Sequence, residues 1–101
     1  MNFDPLAMKA SADDACGLLK ALANPHRLMI VCSLIGGEQS VGALAQSLGV
    51  RETLASQHLG LLRRDGLVSA RRDGQTIYYA LQGGQARALV ETLSNLFCTV
   101  A

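Results

Sequence analysis

The sequence predicts a mainly helical domain that carries one small β-hairpin, in the order α-α-α-α-β-β-α. Three observations support this. Val41–Asp65 reads as a short apolar helix, a Gly-containing turn at Gly49 and a longer helix with one polar face. Asp73-Gly74 then separates two runs, Leu67–Arg72 and Gln75–Leu81, that favour strands. On both sides of this stretch apolar residues recur at helical spacing. Helix, turn, helix and hairpin in succession outline a winged helix-turn-helix, an architecture suited to reading DNA.

The elements follow in order. Pro5 to about Leu22 forms a first helix, with Ala12, Ala15, Cys16, Leu19, Leu22 and Ala23 on one stripe. Asn24 caps the second helix and Pro25 occupies its first position. Leu28, Val31, Cys32 and Ile35 form its buried stripe, and Gly36-Gly37 stops it. Ser40 caps the third helix, whose inward residues are Val41, Leu44, Ala45 and Leu48. The fourth covers roughly Arg51–Asp65, with Leu54, Ala55, Leu59 and Leu62 inward and Gly66 at its end. After the hairpin and Gln82-Gly83-Gly84, a last helix spans about Gln85–Thr99. Ala86, Leu89, Val90, Leu93, Leu96, Phe97 and Val100 line one broad face of it, wide enough for packing or dimerisation.

Size and charge set the bounds. The 101 residues are expected to form a single domain, in which the helices at about 5–22 and 85–99 could support the DNA reader, pair it with a second copy or control it. Half the residues are hydrophobic but only 4% are aromatic, so Leu, Ala, Val and Ile must build the core. The formal net charge is +1, which excludes a uniformly basic nucleic-acid binder. The positive excess is local: within residues 51–74, Arg51, Arg63, Arg64, Arg71 and Arg72 face only Glu52, Asp65 and Asp73. No apolar run approaches a membrane span and no secretory signal opens the chain, so a cytoplasmic protein with reduced thiols is expected.

The fourth helix presents Glu52, Thr53, Ser56, Gln57, Arg63 and Arg64 outward, short polar groups and cations suited to a major groove. Arg71 and Arg72 flank the hairpin turn, where a wing meets phosphate. His58 packs beneath this helix or contacts a phosphate. The expected DNA-contacting set is Arg51, Thr53, Ser56, Gln57, His58, Arg63, Arg71 and Arg72. A catalytic reading finds little support. Ser56 and His58 are two apart on a helix and do not face each other, and no phosphate loop, carboxylate pair or metal motif is present. The chain is therefore expected not to be an enzyme and to need no cofactor. A winged helix that binds protein instead of DNA, with Arg71 and Arg72 merely solvated, is the other class to test.

The segments LKALANPHRLMIV, LAQSLGVRETLASQHLGLLRRDGLV and RRDGQTIYYAL resemble the ArsR/SmtB family of bacterial repressors, over most of the chain from Leu18 to Leu81. The resemblance implies a homodimer, built from the first and last helices, that binds an inverted-repeat operator in double-stranded DNA and is released by a chemical signal. Arg51-Glu52-Thr53 departs from the Ser-Gln-Ser usual in the family. Arg51 cannot cap the fourth helix as Ser would. Glu52 places an acid near DNA, repelled by phosphate but able to accept from cytosine N4.

The resemblance also narrows the signal. Ser40 and Gly42 stand where many metal sensors of the family carry Cys-x-Cys. The last helix has no Asp or His for the second common site, so no metal is expected. Cys32 in the second helix and Cys98 in the last resemble the arrangement of the BigR/SqrR group, which senses persulfides or oxidants through paired thiols. What this implies is a Cys32–Cys98 di- or polysulfide link, formed by a persulfide or polysulfide donor, that releases DNA. At about 100° per residue, Cys98 lies off the centre of the last helix's apolar stripe, whereas burial alone accounts for Cys32 and Cys16. Two alternatives stay open: a soft-metal site for arsenite from Cys16, Cys32 and Cys98, and an oxidant-driven simple disulfide.

Overall fold

The computed structural model describes residues 3–98. Helix α1 (Pro5–Leu22) starts where the Asp4 carboxylate accepts from the Leu6 amide at 3.0 Å, with Pro5 at the first helical position. Helix α2 (Pro25–Leu34) repeats the device: Asn24 Oδ1 accepts from the amides of His26 at 2.9 Å and Arg27 at 3.2 Å. A two-residue strand β1 (Gln39–Ser40) leads directly into α3 (Val41–Leu48), whose cap is Ser40 Oγ, 3.1 Å from the Ala43 amide. Gly49 closes α3 at φ 68°, a left-handed conformation that other residues adopt only at a cost. Helix α4 (Glu52–Arg64) follows across a short turn. Strands β2 (Val68–Asp73) and β3 (Thr76–Leu81) form the hairpin, and α5 (Gln85–Phe97) ends the described chain.

The sheet has three antiparallel strands in the order β1-β3-β2. Strand β1 is an addition to the element order expected from sequence. Its two residues, Gln39 and Ser40, pair with Tyr79 and Tyr78, and so short a pairing leaves no periodic trace in a sequence. The hairpin turn also shifts by one residue. Asp73 pairs with Thr76, so the connecting residues are Gly74 and Gln75 rather than Asp73 and Gly74. Gly74 takes φ 64°, which puts the positive-φ residue first in the loop.

Ile30, Val31, Leu44, Leu59, Leu62 and Val68 are fully buried and form the centre of the core, joined by Tyr79, Ala86 and Val90. α2 thus packs against α3, α4 and α5 through Ile30, Val31 and Leu34. Two expectations for the helix stripes change, on α1 and α2, while the α5 stripe divides between the core and the surface. On α1 only Ala21 and Leu22 are buried, with Leu18 half-buried. Cys16, Leu19 and Ala23 are exposed, because only the C-terminal end of α1 reaches α2. On α2 the thiol-bearing Cys32 is exposed: Val31, its neighbour, faces the core, and one residue turns a helix by about 100°. On α5, Ala86 and Val90 are buried and Leu89 and Leu93 half-buried, but Leu96 and Phe97 are 71% and 80% exposed in the single chain. Thr99 and Val100 lie outside the described residues. Among the described residues no helix is long and apolar enough to cross a membrane.

Candidate nucleic-acid interface and the cysteine positions

Helix α4 buries Ala55, Leu59 and Leu62 against the rest of the core. The same rotation exposes Thr53, Ser56, Gln57, Arg63 and Arg64, together with Gly60, on the opposite side. Arg51 occupies the N-cap position of α4 with φ −72° and ψ 147° and makes no side-chain cap. Its exposed guanidinium stands at the entrance to the helix with no ion pair among the described residues. Arg63 likewise has no ion pair among the described residues, whereas Arg64 meets the adjacent Asp65 at 3.2 Å.

Glu52 is placed differently from the sequence expectation. Its carboxylate is turned back over the first turn of α3, where Oε1 would stand 3.0 Å from a Cβ at Gly42. Gly42 supplies the room for this arrangement. A carboxylate near a helix N-terminus interacts favourably with the exposed amides there.

His58 lies half-buried on the flank of α4 that meets α2. Its Nδ1 is 3.5 Å from Arg27 Nη1, and its ring centroid is 5.5 Å from that of His26. Arg27 is itself anchored, donating through Nε to the Ala21 carbonyl at 2.6 Å. A guanidinium can only donate, so this contact requires Nδ1 to be unprotonated. Burial, then the charges of Arg27 and His26, push the His58 pKa below the ordinary imidazole value. Of the eight expected DNA contacts, His58 is thus the one held against another helix.

The two wing arginines part company. Arg71 donates to both Glu38 oxygens, Nε to Oε2 at 2.9 Å and Nη2 to Oε1 at 2.7 Å, and its guanidinium carbon sits 4.6 Å from the centre of the Tyr78 ring. The hydrogen bonds hold the Glu38 carboxyl below, and the Arg71 guanidinium above, its usual range. Arg72 is exposed and has no ion pair among the described residues.

All three cysteines are free thiols and exposed. Cys32 is on the outer side of α2. Cys98 is not on a helix at all: α5 ends at Phe97, and Cys98 has extended backbone, φ −103° and ψ 118°. A helical phase therefore does not describe where its side chain points, which corrects the angular reading made from sequence. The N-terminal turn of α5 is fastened to the end of α2 by Arg87, whose Nη2 donates to the Ile35 carbonyl at 3.3 Å. Among the described residues no three His, Cys, Asp or Glu side chains gather to hold a metal ion.

Residues 24–70, from the cap of α2 into β2, match the bacterial regulatory protein, arsR family. The transcriptional activator HlyU of Vibrio cholerae is 44% identical over 91 residues, covering 90% of this chain and 84% of HlyU. The crystal structure of the transcriptional repressor BigR from Xylella fastidiosa superposes with a TM-score of 0.92 at 41% identity, covering 97% of this chain and 100% of that one. The homodimeric winged helix-turn-helix DNA-binding domain Mb0332 from Mycobacterium bovis has a TM-score of 0.76 at 35% identity, over 95% of this chain and 89% of that one.

Proposed function

From a chain that belongs to the arsR family of bacterial regulatory proteins, a DNA-binding transcriptional regulator, we propose a homodimeric repressor that leaves its operator when reactive sulfur links Cys32 to Cys98. The observation that carries the proposal is the placement of the thiols. One is on α2 and one just past α5, both are accessible, and neither is in the DNA-reading segment between them. A small donor can reach exposed thiols, and a link between them joins the two helices that bracket the reader.

The DNA contacts proposed are Thr53, Ser56 and Gln57 toward base edges and Arg51, Arg63 and Arg72 toward phosphate. Leu96 and Phe97 at the end of α5, and Leu6 near the start of α1, are large exposed apolar groups that a second copy would cover. The resulting dimer presents two α4 helices to half-sites about 34 Å apart on an inverted repeat.

The sulfur chemistry balances without a metal. A thiolate of one cysteine attacks the outer sulfur of a persulfide donor such as glutathione persulfide. The protein persulfide forms and glutathione thiolate leaves. The second cysteine thiolate then attacks the inner sulfur of that persulfide, forming a disulfide and expelling hydrosulfide. When both cysteines have become persulfides, the terminal sulfur of one attacks the inner sulfur of the other, giving a trisulfide and hydrosulfide. The longer bridge spans a wider gap than the roughly 7 Å between Cα atoms that a disulfide tolerates. Bridging draws the end of α5 toward α2 and alters the spacing of the two recognition helices.

The test is intact and peptide mass spectrometry after treatment with glutathione persulfide, paired with operator binding. A mass change confined to a Cys32–Cys98 crosslink, with loss of DNA binding, is the expected result. Cys32→Ser or Cys98→Ser protein that still leaves DNA on treatment would remove the proposal. Parallel treatment with hydrogen peroxide and with arsenite separates a simple disulfide and a thiolate metal site from persulfide sensing.

A further inference from the structure

We propose that Glu38 is a positioning residue for DNA binding: it locks Arg71 on the outer face of the wing, which leaves Arg72 as the wing cation that meets a phosphate. The strand register separates the two arginines. Val68, Ala70 and Arg72 alternate on one face of β2, opposite Leu81, Tyr79 and Ile77 of β3. That face is the core face: Val68 and Tyr79 are buried, and Ala70, Ile77 and Leu81 pack against them. Arg72 is where this row runs out into solvent. Ser69, Arg71 and Asp73 alternate onto the other face, opposite Ala80, Tyr78 and Thr76.

Tyr78 is the centre of the arrangement, since it pairs with Arg71 on one side and with Ser40 of β1 on the other. Glu38, two residues before Ser40, falls on the same side by the period of two. Arg71 therefore lies across the Tyr78 ring and ends on the Glu38 carboxylate, a bidentate and stacked geometry that a guanidinium fits and an ammonium does not. The pair has no net charge. For Arg71 to reach a phosphate it would have to leave Glu38 unpaired beside a polyanion, so the attraction gained is offset by the repulsion exposed. Because β1 runs straight into α3, the same contact ties the wing to the entry of the helix-turn-helix. Gln39 fastens this connector to α2 as well, donating through Nε2 to the Ser33 carbonyl at 2.8 Å.

Each phosphate contact contributes about 0.9 to the slope of log K against log salt, so counting contacts distinguishes the arginines. The probe is a fluorescent duplex enriched by the wild-type protein from a random-sequence library, with affinity read by anisotropy over a range of salt concentrations. Arg72→Ala is expected to flatten the slope by about 0.9, a difference of about threefold in affinity change between 50 and 200 mM salt. The Glu38→Ala/Arg71→Ala double variant is expected to keep the wild-type slope. Glu38→Gln, which releases Arg71 without shortening either side chain, is expected to steepen it by about 0.9. A slope that flattens in the double variant, or that is unchanged in Arg72→Ala or in Glu38→Gln, overturns the assignment. Thermal melts establish that each variant is folded, and Glu38→Gln/Arg71→Gln replaces the double variant should that one fail to fold. The inference rests on α3, α4 and the wing being the DNA-binding surface. Failure of the wild-type protein to enrich any duplex would remove that reading, whereas enrichment with the slopes in another order removes only the role of Glu38.

Discussion

Arg51→Ser is expected to make the protein more stable and a weaker DNA binder at once. The N-cap of α4 has φ −72° and ψ 147°, close to the φ −75° and ψ 158° of Ser40 at the N-cap of α3. Ser40 uses that backbone to accept from the Ala43 amide at 3.1 Å, while Arg51 makes no such bond, so the Leu54 amide of α4 lacks the equivalent acceptor. A serine at position 51 needs no backbone movement to supply it. The gain of such a cap over alanine is about 1 kcal/mol, or about 4–8 °C in Tm for a domain of this size. The comparison is therefore Arg51→Ser against Arg51→Ala, since both remove the cation from the positive end of the helix dipole and only one adds a cap. Melts are run at one protomer concentration, because a dimer's Tm depends on it. Ser and Ala variants that melt within a degree of each other would refute the reasoning about the cap. In the DNA arm both variants are expected to lose about 0.9 from the salt slope. A retained slope would show that Arg51 does not touch phosphate.

Two further outcomes follow from the core and from His58. Leu62→Ala removes a side chain with no exposure from the centre of the core, and urea denaturation is expected to show a loss of about 2–5 kcal/mol. His58 has a folded-state pKa below its ordinary 6.5, so the unfolded chain takes up the proton first. Its contribution to stability is complete above that ordinary value and declines as pH falls from there toward the folded-state value. Urea midpoints measured across this window should fall with pH in the wild type and fall less in His58→Gln. Parallel pH profiles for the two proteins would disprove the lowering of the His58 pKa by burial and by the neighbouring Arg27.

Much of the architecture is legible in the residues themselves. Asn24-Pro25, Ser40 and Gly49 mark helix ends by local chemistry, an Asx cap, a hydroxyl cap and a positive φ, each of which needs only its neighbours. Leu44, Leu59 and Leu62 follow from helical spacing, whereas Ile30 and Leu34, buried beside Val31 on α2, fall outside the stripe expected there. The inward face of α4 also fixes its outward one, so Thr53, Ser56 and Gln57 were readable as exposed. Cys32 is not, since spacing alone admits two adjacent stripes on α2, and only the packing of the other helices selects the one through Ile30, Val31 and Leu34. Cys98 escapes the helical argument for a related reason: a helical phase holds only as far as the helix, and α5 stops one residue short.

By itself, then, the sequence determined the order of helices and hairpin, the core stripes of α3 and α4, and the family, all through interactions spanning a few residues or through matched motifs. Only the tertiary structure decided the status of the charged side chains. Arg71 and Arg72 are adjacent and chemically identical in the sequence. Pairing of β3 with both β1 and β2 puts them on opposite faces and brings Glu38, thirty-three positions away, onto just one of them. The same long-range assembly sets His58 against Arg27 and turns Glu52 onto α3 beside Gly42. Charge is a property of a residue, but whether it is available to a phosphate depends on what the folded chain places beside it.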